Sequence, residues 1–438
     1  MISNHGIHQW NIVPGLPDTG GQNVYVNQFS DMLAKLGFRI TIANRGGYKH
    51  PITDEMHRGL HYKNDKQRIL YVEDDKDKFM RKEDMNEQIP KLAQFLFDFI
   101  ENEGTIVDLI ISHYWDGFKL GVFFCRKYAH PIRHIWVPHS LGVVKKQNMD
   151  PSTWEMLRID ERIEIERSLL EELDGVVATS TVIRKSLQQD YSCKEPLFLP
   201  PCIDTERFYP RQIEDNHNIW KFLSDCTDLP ADTLHRYKIV TEISRTDHTK
   251  RKDVLIKAFT QVQQRVKDCV LIISIDETEE QLSAELHKLI DKLGIRSHTV
   301  VIGHEHERLP DIYRITDVYC SPSVMEGFGM SVQEAAATGV PVVSSRLIPF
   351  AVEYLAEGYG GEPFYKGKGA IVVQADDVDR FSMALEELLE NNTLRSEMGR
   401  QAYHITIPEF TWEQKVKELL SAIDSIPTSE KEGVGDYA

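Results

Sequence analysis

Apolar and polar positions follow two periods along this chain. Short apolar, β-prone runs occur at 39–44, 107–112, 134–137, 175–180 and 197–201, and again at 238–245, 270–275, 299–302, 317–320 and 369–374. Between them apolar residues fall three and four apart, as at Val24, Val26, Phe29, Met32, Leu33 and Leu36, the spacing of a helix buried on one face. Strand patterns alternating with helical ones predict an α/β fold with mostly parallel sheets.

The alternation stops once. From 210 to 237 the chain is polar apart from an island at Trp220, Phe222 and Leu223, and the strand pattern restarts at Lys238. The expected organisation is a first domain at 1–209, an inter-domain connection with a short helix at 210–237, a second domain at 238–408, a last helix at 409–426 and a disordered tail at 427–438. The charged amphipathic segment 150–173 reads as one helix serving packing.

A length of 438 residues suits two domains, each with its own core. The net charge of −17 argues against nucleic acid or an anionic membrane as the main partner, though not against a local basic cleft. Six cysteines are scattered without a Cys-x-x-Cys pair, which suits reduced thiols in a cytoplasmic protein. No apolar run is long enough to cross a bilayer and no secretory segment opens the sequence. The first residues begin abruptly inside a strand-like pattern, as an upstream start or a clipped terminus would leave them.

Candidate chemistry gathers at predicted strand ends, where open α/β sheets bind ligands. Glu326-Gly-Phe-Gly329 is a bend after the strand at 317–320, and a helical pattern from Ser331 carries Glu334. Unpaired N–H groups and the helix dipole there favour an anionic ligand. Gly20 and Gly21 open another helix. Arg45, Lys145 and Lys146 follow strand patterns and could meet phosphate or carboxylate, as could Arg245 and Lys250 in one strand-to-helix loop. Plain turns and solvated charges explain the same residues equally well in isolation. Asp75-Lys-Asp77 mimics a metal-binding pair but lies in the charged run 73–81, read as a solvated loop, and His304-Glu-His306 lacks a metal-site spacing.

Together these motifs resemble one family. Glu326-Gly-Phe-Gly329 with Glu334 is similar to the paired-glutamate motif of family-4 retaining glycosyltransferases. Pro17-Asp-Thr-Gly-Gly-Gln22, His113-Tyr-Trp-Asp116 and His139-Ser-Leu-Gly142 resemble motifs of its sucrose-phosphate-synthase branch. The resemblance covers nearly the whole chain, in the family's order. It implies the GT-B architecture, two Rossmann-like domains facing a cleft, with the last helix crossing back to the first domain. The implied catalytic set is His139, Arg245, Lys250 and Glu326. Donor contacts would come from Gly20, Gly21, Arg245, Lys250, Glu326, Gly327, Phe328, Gly329 and Glu334, with Glu326 by the sugar and Glu334 on the ribose. The acceptor would face Tyr114 and Asp116. Arg245 and Lys250 would stabilise the departing diphosphate, so no cofactor is required and a divalent metal at most stimulates. Cys202, Arg184-Lys185 and the stretch 345–350 depart from the family's pattern.

The expected reaction moves a hexose, with retention, from GDP-mannose or UDP-glucose to a small soluble acceptor. Arg45, Lys145 and Lys146 favour an anionic one. The particular expectation is mannosyl transfer to glucosyl-3-phosphoglycerate in compatible-solute synthesis. The alternatives are a sucrose-phosphate-synthase-like glucosyltransferase and a non-catalytic sugar-nucleotide-binding protein. A dinucleotide oxidoreductase is disfavoured because no Gly-x-Gly-x-x-Gly follows a first strand.

Overall fold

The computed structural model describes residues 1–13, 16–147, 151–227, 229–303, 305, 307–358 and 364–426. It divides into two compact units, one formed by Met1–Pro200 with the stretch from Trp412, the other by Pro201–Thr411. The predicted tail at 427–438, together with Asp150, His304 and His306, lies outside the described residues.

In the first unit the strands Leu109–His113, Arg133–Val137, Gly175–Ala178 and Leu197–Phe198 pair in parallel in that order. A second group places Ile40–Arg45 parallel to Gln67–Val72, with Gly59–Tyr62 antiparallel on the far side. Ile2 bridges the groups, pairing in parallel with both Ala43 and Ser112. The helix Gly21–Lys35 buries Tyr25, Val26, Phe29 and Leu33. Trp412, first residue of the helix Trp412–Asp424, stacks on Phe29 at 6.0 Å between ring centroids.

Among the described residues the second unit holds seven strands in the order Thr299–Ile302, Cys269–Ser274, Lys238–Glu242, Val318–Ser321, Val342–Ser345, Ala370–Val373, Phe364–Lys366, all parallel except the last. Val240, Leu271, Phe259, Val343 and Phe381 are among the residues filling its largest core. Strands after Lys238–Glu242 are added first on one side and then, from Val318–Ser321, on the other. The C-terminal ends of these two neighbours are therefore the topological switch point, where a crevice opens.

Three expectations need correction. The segment 210–237 is no free connection: the helix Asn218–Asp225 packs Ile219, Trp220 and Leu223 against Ile239, Val270 and Ile272 within the second unit, and the division falls at Pro200–Pro201. The helix expected at 150–173 is broken into Pro151–Met156 and Ile159–Ser168, with Arg158 left-handed between them at φ 50°. The run 73–81 is not wholly solvated, because the Asp74 side chain is buried. Among the described residues no helix is long and apolar enough to cross a membrane, and no group of three or more His, Cys, Asp or Glu could hold a metal ion.

Candidate active site

At the switch point of the second unit two loops are stitched together. The loop after Lys238–Glu242 carries Arg245 and Lys250, and the loop after Val318–Ser321 carries Glu326. The Val324 N–H donates to the Thr249 carbonyl at 2.8 Å, and the Ser323 hydroxyl donates to the same oxygen at 3.1 Å. Lys250 Nζ then reaches Glu326 Oε1 at 2.6 Å. Both members of this pair are largely shielded, so their attraction is weakly screened. Arg245 extends outward, its side chain 83% exposed and 3.8 Å from Asp247.

The bend beyond is fixed by Gly329. Its φ is +104°, and an added Cβ would lie 2.5 Å from Ile348 Cγ2, so only glycine fits without displacement. The helix Met330–Ala337 follows, with half-buried Glu334 accepting from the Tyr313 hydroxyl at 3.1 Å. Burial pushes the Glu334 carboxyl up to about 7, against the opposing pull of Tyr313 and Arg207. Gly327 is exposed. The Phe328 ring is buried against Phe350, Tyr354 and Phe410, and its carbonyl accepts from the Phe350 N–H. An apolar ring packed against three aromatics is more stable inside than beside a sugar, which leaves only its N–H for a ligand.

The first unit gathers a second set of residues. Tyr114, left-handed at φ 64°, begins the helix Tyr114–Cys125. Its phenol oxygen accepts from Lys145 Nζ at 2.7 Å and Arg162 Nη1 at 2.6 Å. Burial alone would raise this phenol, but Arg162 and Lys145 outweigh it and bring the value down to about 8. A small pocket lined by Glu83, Tyr114, Lys145, Arg158, Glu161 and Arg162 opens beside it. Asp116 is buried and accepts from His5 Nδ1 at 2.9 Å, while its Oδ2 has no hydrogen-bond partner among the described residues. His139, left-handed at φ 55°, shares a 2.9 Å hydrogen bond between its Nε2 and His113 Nδ1, and burial lowers it to about 3, so it is neutral at physiological pH. Gly20 and Gly21 are exposed at the start of their helix, with open space where a Cβ would stand.

Arg45 is not an acceptor contact. Its guanidinium makes a bidentate pair with Asp74, at 2.8 and 2.9 Å, and donates to the carbonyls of Lys78 and Lys76 at 3.0 and 3.1 Å. With 2% exposure it has no face left for a ligand. Lys146 turns away to Asp160 and lies over the Trp154 ring. Arg162 was missed by the sequence reading, which gave its helix to packing. Its spacing from Glu166, four positions on, was the available signal: Arg162 Nε pairs with Glu166 Oε1 at 2.7 Å in the interior.

Two α/β units, one with a lysine–glutamate pair at its switch point, place the protein in the GT-B class of glycosyltransferases. Residues 19–207 match the model described as Glycosyltransferase Family 4, and residues 230–405 match Glycosyl transferases group 1. The chain belongs to the family-4 glycosyltransferases. It is similar to the mannosylfructose-phosphate synthase of Agrobacterium fabrum, 26% identical over 97% of this chain and 90% of the relative. It is equally similar, at 26% identity, to a D-inositol 3-phosphate glycosyltransferase of Corynebacterium urealyticum, over 96% of this chain and 94% of the relative. Its fold is similar to that of a sucrose-phosphate synthase from Thermosynechococcus elongatus, with a TM-score of 0.72 and 21% identity over 93% and 94% of the two chains.

Proposed function

We propose that the protein is a cytoplasmic retaining hexosyltransferase that takes its sugar from a nucleotide diphosphate donor and delivers it to a small anionic acceptor. The carrying observation is the Lys250–Glu326 contact at 2.6 Å beside exposed Arg245. It supplies a cation where the leaving diphosphate gains charge and a carboxylate for sugar hydroxyls. Glu334 holds the ribose. The bond from the anomeric carbon to the diphosphate breaks, the departing phosphate oxygen takes the acceptor hydroxyl proton, and the new glycosidic bond forms on the same face. His139, neutral, donates or accepts a hydrogen bond at the hexose. No metal is needed for this step, and a divalent ion would at most stimulate turnover.

The Tyr114–Lys145–Arg162 cluster supports an anionic acceptor group, and both curated relatives carry phosphate in their names. The particular reaction we favour is mannosyl transfer from GDP-mannose to glucosyl-3-phosphoglycerate. Glucosyl transfer from UDP-glucose to fructose 6-phosphate is the second reading, favoured by the fold likeness to a sucrose-phosphate synthase. A matrix of both donors against both acceptors, read by product mass, tests the proposal. A phosphate-bearing product heavier than its acceptor by one hexosyl unit, with stoichiometric nucleoside diphosphate, is expected. Donor binding without transfer to any anionic acceptor would instead make the protein a binder.

A further inference from the structure

The loop bearing Arg245 rests on an ion pair inside the second unit that the chemistry above does not use. Glu242 ends the strand Lys238–Glu242 with 1% exposure, and Lys252 begins the helix Lys252–Arg265 with 3%. Lys252 Nζ meets Glu242 Oε2 at 2.5 Å, the Ser244 hydroxyl at 2.9 Å, Ser274 Oγ at 3.2 Å and the Ser244 carbonyl at 3.3 Å. Ser274 completes the enclosure: its hydroxyl donates to the Ser244 carbonyl at 2.7 Å and accepts from the Ser244 N–H at 3.0 Å. Both backbone groups and the hydroxyl of the residue before Arg245 are thereby engaged.

The far side of Arg245 is pinned as well. Thr246 Oγ1 accepts from the Asp276 N–H at 2.8 Å, Asp247 caps the Thr249 N–H at 2.9 Å, and Thr249 is held by Val324. Arg245 projects from a backbone fixed on either side. For stability the ion pair is a poor choice. Taking two charges out of water offsets much of their attraction, and packed apolar residues usually serve as well. A cation in the first turn of a helix also opposes the helix dipole. What the pair provides that apolar residues cannot is directional hydrogen bonding to Ser244.

We propose that Glu242 and Lys252 are positioning residues for the diphosphate loop, holding Ser244 so that Arg245 and Lys250 are aimed before the donor arrives. The proposal rests on the reading of Arg245 and Lys250 as the leaving-group site. A guanidinium displaced by about 1 Å loses transition-state contact more than ground-state contact, so the effect falls on kcat.

The test is steady-state kinetics on the full chain with three variants: Glu242→Gln, Glu242→Leu/Lys252→Leu and Arg245→Ala. Thermal unfolding is measured on each. The apolar double variant is expected to unfold within a few degrees of the parent, with kcat about ten- to hundredfold lower and donor KM changed less than about threefold. Glu242→Gln, isosteric and able to hydrogen-bond, is expected to lose less of kcat than the double variant, and it answers the question if the double variant does not fold. Parental kcat in Glu242→Gln and in a folded double variant, with Arg245→Ala impaired, would overturn the positioning role; so would parental kcat in Glu242→Gln if the double variant does not fold. Parental kcat in Arg245→Ala would instead overturn the leaving-group reading.

Discussion

Lys250 Nζ donates to Glu326 Oε1 at 2.6 Å, joining the loop after Lys238–Glu242 to the loop after Val318–Ser321. The two neutralise each other, so neither sits as an isolated buried charge. In the proposed reaction, a donor that inserts its diphosphate beside Lys250 shares this ammonium with Glu326.

In the proposed reaction, removing Lys250 therefore does two things: it deletes a leaving-group cation and strands Glu326. Lys250→Ala is expected to lower kcat/KM by roughly 10²-fold or more, the scale of losing one oxyanion-type donor. Lys250→Ala/Glu326→Ala should lose less than the sum of the two single effects, because the residues share one contact. Fully additive losses in steady-state assays would show that they act separately.

Arg45 makes a contrasting case, since its buried guanidinium is spent on Asp74 and two carbonyls. Arg45→Ala leaves Asp74 unpaired in the interior and should cost about 3–5 kcal/mol of stability. Donor and acceptor KM of the folded fraction should stay near parental values. Denaturant unfolding and two-substrate kinetics decide it: a selective rise in acceptor KM at unchanged stability would return Arg45 to the acceptor site.

Glu334 sets a pH dependence. Burial raises its carboxyl from 4.5 to about 7, so the folded chain holds the proton longer than the unfolded one. Its contribution to stability is thus present below 4.5 and is lost as pH rises through about 7. In the proposed donor site the ribose hydroxyls recruit the charged form, so donor KM should climb as pH falls below about 7, approaching tenfold per unit. Glu334→Gln should be flat over that range. A parallel slope in that variant would assign the titration elsewhere.

Parallel strands that are buried on both faces are legible in sequence because they are nearly continuous apolar runs, as in Thr299–Ile302, read at its observed bounds. The strands between 48 and 62 were not, since Tyr48–Lys49 and Gly59–Tyr62 are short and polar residues interrupt the apolar pattern around them. The glycine-rich bend was legible because Gly329 meets a steric demand written in one residue. The fate of Arg45 was not, because a lone arginine at a strand end carries no trace of Asp74, twenty-nine positions on. Arg162 was hidden for the same reason, its role depending on Tyr114 across forty-eight positions.

Cationic side chains at the leaving group make metal dispensable in this account. Activity is expected to persist after exhaustive chelation, with at most a modest loss if an ion speeds product release. Complete loss restored by Mg²⁺ or Mn²⁺ would bring exposed Asp75 and Asp77 back into consideration.

Front-face transfer with phosphate as the departing group is the central claim, and the anomeric configuration of the product tests it most directly. NMR of the reaction mixture, with an α-configured nucleotide sugar and an anionic acceptor, reads that configuration from the one-bond carbon–proton coupling of the new glycoside. An α-linked product formed in step with free nucleoside diphosphate is the result this account expects. A β-linked product would contradict it.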